Sequence, residues 1–296
     1  MSTNSAPLKF CIIGCGRLGI SLSVFLSRQG FVPGAFSSRS IASANNALAH
    51  TGGGKVFDSA LTAARSCDLV FITTPDTTIE PVCDQLAKAG AFDENSIVYH
   101  LSGALSSGIL ASARKAGAST GSIHPLQAFA PYEPGQESPF KGINMSIEGD
   151  DRAVDLGKEI VNALKANSFT IPTEAKTLYH ASAVVASNYL VTLEHFALEL
   201  LKASDMSEKD AYEILEPLIM GTLNNIKARG SVEALTGPVA RGDDTIVSRH
   251  LADIDKKLPQ FSGLYRMLGA HTLEIAKQRN EISAEEMEKL DRLFRG

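Results

Sequence analysis

Three glycines, Gly14, Gly16 and Gly19, stand at G-x-G-x-x-G spacing in FCIIGCGRLG. They follow a β-branched apolar run and precede the helical stretch SLSVFLSRQG, the setting in which this spacing cradles a pyrophosphate. The first glycine permits a tight turn, the second lets the backbone approach the phosphates, and the third allows helix to pack closely on strand. The helix start then offers the free N–H groups of Arg17 and Leu18, and a positive dipole end, to an anion.

The end of the following strand discriminates between dinucleotides, because NAD sites usually carry a carboxylate there for the ribose hydroxyls. Here the strand ends Phe36-Ser37-Ser38-Arg39. Ser37 and Ser38 can donate to a 2′-phosphate, and Arg39 can pair with it through a charge-assisted bond, so NADP(H) is expected over NAD(H). A third run, LVFITTPD, reads as a buried strand whose small-residue end lies at the carboxyl edge of a sheet. Thr74, Pro75 and Asp76 are placed against the ribose and pyrophosphate and Ile79 against a ring, although turn formation alone explains these residues equally well.

Two further strand ends, His100-Leu101-Ser102-Gly103 and His124-Pro125-Leu126-Gln127, face the same crevice. Ser102 and Gly103 can bond a nicotinamide amide or a substrate oxygen, and His124 can donate a proton or hold a carboxylate. In YHASAVVASN, helical spacing puts His180, Val184, Ser187 and Asn188 on one face. A buried histidine and asparagine need partners, which a ligand or a helix–helix contact at a dimer interface would supply. The segment LTGPVARGDD, with Arg241 and Asp243, is either a site loop or a brace for the next helix.

The elements that must position these residues follow from periodicity. Apolar runs at Phe10 to Ile13, Val32 to Phe36, Lys55 to Phe57, Leu69 to Thr73, Ile97 to His100 and Ser119 to Ile123 alternate with helical stretches. That alternation predicts an α/β fold, a doubly wound, mostly parallel Rossmann sheet. Asn144 to Ile147 and Ser168 to Ile171, around a helix from about Asp151, extend it. After Pro172 only helical spacing survives, so we divide the chain into a dinucleotide-binding domain at 1–172 and an all-helical substrate or dimerisation domain at 173–296. Ser207 with Asp210, and Ser283 with Glu286, mark helix starts as capping boxes, and Pro217, Gly230, Pro238, Pro259 and Gly263 are expected to separate helices.

The 296 residues, 44% hydrophobic and 21% charged, suit two globular domains. A formal net charge of −5 argues against nucleic acid or an anionic membrane as partner. No apolar run is long enough to span a membrane, and MSTNSAPLK lacks a signal-type hydrophobic stretch, so a cytoplasmic protein is expected. Cys11, Cys15, Cys67 and Cys83 show no metal-type spacing and are read as packing residues, with no metal site.

The glycine turn, ITTPD, HLSGA, IHPLQAF, YHASAVVASNYL and LTGPVARGD together resemble a family of Rossmann-type NADP oxidoreductases with a helical C-terminal domain of unknown function. The architecture is similar to the wider group of 6-phosphogluconate and 3-hydroxyisobutyrate dehydrogenases, ketopantoate reductase and pyrroline-5-carboxylate reductase. The resemblance implies NADP binding, a small-molecule substrate and a homodimer. It also implies a catalytic lysine one turn before Asn188, where this chain has Val184. His180 is the first replacement as proton donor, with Lys176 one turn earlier again, His124 as a competing donor, and Ser102 and Asn188 as orienting groups. Three readings stay open: hydride transfer to or from a small carbonyl such as a ketopantoate-like 2-oxo acid, reduction of an imine, or NADP sensing without turnover.

Overall fold

The computed structural model describes residues 8–296, and of residues 208–210 the backbone alone. Eight strands form: β1 (Lys9–Ile13), β2 (Val32–Ser37), β3 (Lys55–Val56), β4 (Leu69–Ile72), β5 (Ile97–His100), β6 (Ser119–Pro125), β7 (Asn144–Gly149) and β8 (Asn167–Thr170). They make one sheet in the order β3-β2-β1-β4-β5-β6-β7-β8, parallel except where β7 runs antiparallel to β6. The strand order reverses between β1 and β4, the place where open α/β sheets bind ligands.

Six helices cover the sheet: α1 (Arg17–Arg28), α2 (Ile41–Thr51), α3 (Ala60–Arg65), α4 (Asp76–Lys88), α5 (Ala111–Lys115) and α6 (Asp151–Ala163). The strands alternate between two cores, as the pleat demands. Phe10, Ile12, Leu69, Phe71, Tyr99, Ile123 and Ile147 pack with α1, α2 and α6, while Cys11, Ile13, Val70, Ile72 and Val98 pack with α3, α4 and α5. Past β5 the second face changes character. The same parity carries His100 on β5, Ser122 and His124 on β6, and Ser146 and Glu148 on β7, all polar. Helix α7 (Lys176–Val184) brings its own polar residues to this row.

The chain gathers into two compact units, Met1–Val185 and Ala186–Gly296, so α7 belongs with the sheet. A π-helical turn at Val185–Tyr189 follows α7. The helical unit contains α8 (Leu190–Lys202), α9 (Glu208–Ala234), α10 (Asp244–Lys257), α11 (Ser262–Lys277) and α12 (Ala284–Arg295). Its core is Val247, Leu251, Leu273, Leu290 and Phe294.

Ser283 and Glu286 form the expected capping box, with Ser283 Oγ accepting from the Glu286 amide and the Glu286 carboxylate accepting from the Ser283 amide. Helix α9 starts after Ser207, and the Asp210 side chain of the other expected box lies outside the described residues. Two expected breaks do not occur: Pro217 lies inside α9, and Gly263 sits in the first turn of α11, where an early helical residue needs no special backbone freedom. Gly230 does break the helical path, with φ at +81°.

Candidate functional site

A cavity of about 700 Å³ opens at the carboxyl ends of β1, β2 and β4. Its wall includes Gly14, Gly16, Arg17 and Leu18 from the turn into α1, then Ser37, Ser38 and Arg39 after β2, and Thr74 and Pro75 after β4. The three glycines divide the work. Gly14 has φ at +103° and lies so close to the strand end after β4 that a Cβ would stand 2.7 Å from the Thr74 amide nitrogen. A Cβ at Gly19 would fall 2.5 Å from the Gly14 carbonyl oxygen and 2.7 Å from Thr73 Oγ1. A Cβ at Gly16 would meet nothing within 4 Å. Gly14 and Gly19 are therefore needed by the fold itself, whereas Gly16 borders open space that only a ligand would fill. That space, the first-turn amides of α1 and the hydroxyl and guanidinium groups after β2 fit a dinucleotide phosphate.

Other expected cofactor contacts take different places. Ile79 is buried in the core, because α4 turns it under the sheet, and Thr78 and Val82 line the cavity instead. Asp58, after β3, brings a carboxylate to the same wall, which inspection of the β2 end alone does not reveal. Asp76 accepts from Ser102 Oγ at 2.8 Å, and that oxygen in turn accepts from the amides of Ala104 and Leu105. A serine hydroxyl has one proton and two lone pairs, so all of Ser102's capacity is used in holding the loop after β5. In the structure the hydroxyl expected to orient a ligand braces this loop.

Beyond that loop the polar row on β5, β6 and β7 meets α7. His124 Nδ1 is 3.0 Å from the Tyr179 hydroxyl, and the His124 and His180 rings meet edge to face at 6.1 Å between centroids. Gly103 lies beneath both: a Cβ there would stand 2.6 Å from His124 Nε2 and 2.6 Å from His180 Cδ2. No other residue type leaves these imidazoles where they are.

Lys176 is only 1% exposed, and its Nζ donates to Ser122 Oγ at 2.8 Å. Burial lowers it to about 8, with Glu148 and Asp76 acting in the opposite sense. Glu148, equally buried, accepts from the amide and hydroxyl of Ser107 and from Thr173 Oγ1. Burial, reinforced by the Lys176 charge, drops His124 to about 4 and His100 to about 3, so both rings are neutral at pH 7. His100 Nδ1 accepts from the Ser102 amide, and its Nε2 is buried without a partner.

The structure thus brings His124, His180 and Gly103 together with Lys176, the further donor named from the sequence, and adds Tyr179, Ser122, Ser146 and Glu148. Asn188 belongs to the other compact unit, in the π-helical turn, so α-helical spacing does not extend from His180 to it. All four cysteines are buried, and Cys15 is pushed up to about 12 by desolvation, which suits packing and not nucleophilic chemistry. Among the described residues no cluster fit for a metal ion occurs and no helix is long and apolar enough to cross a membrane.

Residues 2–125 match the Rossmann-like domain family, and residues 143–272 match a domain of unknown function, DUF2520. The chain carries a Rossmann-like domain and a DUF2520 domain. No curated protein matches in sequence. Protein TM1727 of Thermotoga maritima is similar in structure, at 27% identity and TM-score 0.71, over 92% of this chain and 99% of that one. Protein BF3122 of Bacteroides fragilis, described as an NADP oxidoreductase, is 22% identical, with TM-score 0.71 over 90% and 98% of the two chains. A pyrroline-5-carboxylate reductase of Coxiella burnetii is 13% identical, with TM-score 0.58 over 97% and 99%. The last two share the fold. The polar cluster draws on both segments: His100, Gly103, Ser122 and His124 come from the Rossmann-like domain, and Ser146, Glu148, Lys176, Tyr179 and His180 from the DUF2520 segment.

Proposed function

We propose that the chain is an NADP(H)-dependent reductase of a small substrate with a C=N or C=O bond. One arrangement carries the reading: a phosphate cradle ending in Ser37, Ser38 and Arg39 lies on the same sheet edge as the His124, Tyr179 and His180 cluster. From the β2 end to the β6 end, where His124 stands, is four strand spacings, roughly 19 Å, a reach suited to an extended dinucleotide. When bound, NADPH supplies a hydride. Gly16 and the α1 amides would hold its pyrophosphate, and Arg39 with Ser37 and Ser38 its 2′-phosphate. The protein must then place a proton at the heteroatom that gains charge, and His124 and His180 at Gly103 are the groups suited to do so.

Likeness of fold to a pyrroline-5-carboxylate reductase favours a C=N substrate over the ketopantoate-like 2-oxo acid. Four buried free thiols accord with the reducing cytoplasm. The helical unit exposes Tyr212, Ile214, Leu218, Leu223 and Ile226 on α9, an apolar surface that a homodimer would cover. The deciding experiment follows NADPH oxidation with a panel of cyclic imines, ketone and amine mixtures, and 2-oxo acids. Turnover of an imine supports the preferred reading, and turnover of an oxo acid alone reverses the preference. Tight NADPH binding with no turnover of any member favours the sensing role.

A further inference from the structure

The Tyr179 hydroxyl and the Lys176 ammonium have no part in a scheme that ends at the two histidines, yet the phenol contacts His124 and the ammonium is anchored on Ser122 of the same strand. Nδ1 of His124 faces the phenol at 3.0 Å, and Nε2, across the ring, lies at Gly103. Ser146 stands opposite His124 in the β6/β7 register, and its buried hydroxyl has no hydrogen-bond partner. Burial raises the Tyr179 phenol above its ordinary value, so the phenol keeps its proton at neutral pH. A phenol that keeps its proton can donate it to the Nδ1 lone pair of a neutral His124 across the 3.0 Å contact. Lys176 is pinned to Ser122, two residues before His124 on the same strand face, and its Nζ lies 5.9 Å from the centre of the Tyr179 ring.

We propose that Tyr179, His124 and Lys176 form a proton relay in which the phenol feeds Nδ1 while Nε2–H delivers to the substrate, an inference that deepens the reductase reading and rests on it. As the substrate heteroatom takes up the electron pair of the C=N or C=O π bond, the Nε2–H bond breaks and the proton passes to that heteroatom. Nδ1 takes the phenol proton, so the imidazole ends neutral with its tautomer reversed. The charge left behind is a phenolate near the Lys176 ammonium, which returns a proton to it and is itself reprotonated from water. A fixed positive charge opposes imidazolium and favours phenolate, so at both residues it favours the same direction of transfer. His124 is the catalytic residue in this scheme. Tyr179 and Lys176 act through it as positioning residues.

The groups facing His124 are Lys176, Tyr179 and His180 from α7, His100 from β5, and Ser146 from β7. Both nearby carboxylates are committed elsewhere, Glu148 to Ser107 and Thr173, and Asp76 to Ser102. Neither competes with the phenol for Nδ1.

The test is an ¹⁵N-edited NMR titration of the imidazoles in the full chain without cofactor, on the wild type, Lys176→Met, Lys176→Arg and Tyr179→Phe. Wild-type His124 is expected to stay neutral, with the proton on Nε2, from pH 8 down to about pH 5. Lys176→Met should raise its titration by about one unit, and Lys176→Arg should not. Tyr179→Phe should mix the two tautomers and lower kcat by about 10²-fold with KM little changed. A wild-type proton on Nδ1, or an imidazolium already formed at pH 7, overturns the relay. So does an unchanged titration in a folded Lys176→Met variant. If that variant does not fold, Tyr179→Phe decides, since it removes one half-buried oxygen, and an unaltered tautomer there overturns the proposal. The NMR readout needs no substrate, so a chain that reduces nothing fails the reductase reading alone, while a wrong tautomer fails the relay alone.

Discussion

The two ends of one sheet edge are built on opposite principles. At β1, β2 and β4 the wall is backbone and small side chains around open space, and its donors wait for a ligand. At β5, β6 and β7 the side chains already bond one another, and two imidazoles close over Gly103. The first region gains affinity from room and free N–H groups. The second gains reactivity from desolvation, which holds two histidines neutral and lowers a lysine to about 8. Substitutions that open or fill space should therefore affect binding at one end, and changes of charge should affect chemistry and acid stability at the other.

Acid should break the contrast most strongly. His100 and His124 are depressed to about 3 and about 4 in the folded chain, against an ordinary histidine near 6.5. Their contribution is intact above pH 6.5 and is lost as pH falls from there toward 4, because the unfolded chain takes up protons that the folded one refuses. The loss should be on the order of 5 kcal/mol, read as a falling melting temperature over that window, and His100→Gln should flatten the fall. A melting curve level from pH 7 to pH 4.5 contradicts the buried neutral imidazoles.

Removing a proton donor comes next. His124→Ala should cut turnover by about 10² to 10⁴ while leaving NADPH affinity intact. His180→Ala is the paired control. If it alone abolishes turnover, the delivering imidazole is His180 and the assignment at Gly103 is exchanged.

At the other end, Gly16→Val should weaken NADPH binding by about 10²-fold in calorimetry with near-native circular dichroism, since its side chain enters empty space. Gly19→Val should fail differently, through misfolding, because its Cβ has no room. Normal NADPH affinity in a folded Gly16→Val variant would remove the phosphate cradle from the proposal. Arg39→Ala should cost about 10 to 100-fold in NADPH affinity and little in NADH affinity, the worth of one charged hydrogen bond. Equal binding of the two cofactors by the unaltered chain counts against the 2′-phosphate assignment. The smallest effect belongs to Asp58→Asn, which should improve NADPH affinity a few-fold at low salt by removing a like charge from the wall.

The same contrast explains what the sequence discloses. A phosphate cradle depends on glycines and on the helix that follows, both local in the chain, so the Gly14 to Gly19 turn and all eight strands are legible. The second cluster depends on which strands become neighbours. Ser-Ile-His on β6 and Ser-Ile-Glu on β7 read singly as half-exposed strands, and only antiparallel pairing sets Ser122 against Glu148 and His124 against Ser146. The pairing of two such alternations was the available signal. Lys176 is named from the sequence only as a remote substitute for the missing lysine, and its bond to Ser122 appears only when β6 lies beneath it. The face drawn through His180, Val184 and Asn188 assumed an uninterrupted α-helix, which the π turn at Val185–Tyr189 breaks.

At the antiparallel junction of β6 with β7, the boundary between the two family matches falls inside a single folding unit. The Rossmann-like match stops at residue 125 and the DUF2520 match starts at 143, so the family boundary falls in the connection between two hydrogen-bonded strands. A chain cut there would leave β6 with a bare row of N–H and C=O groups, a template for sticking to other chains. It would also leave the buried side of that strand, with Ser122 and His124, uncovered by α7. The two matched segments share one sheet, so neither is expected to stay soluble as a separate piece.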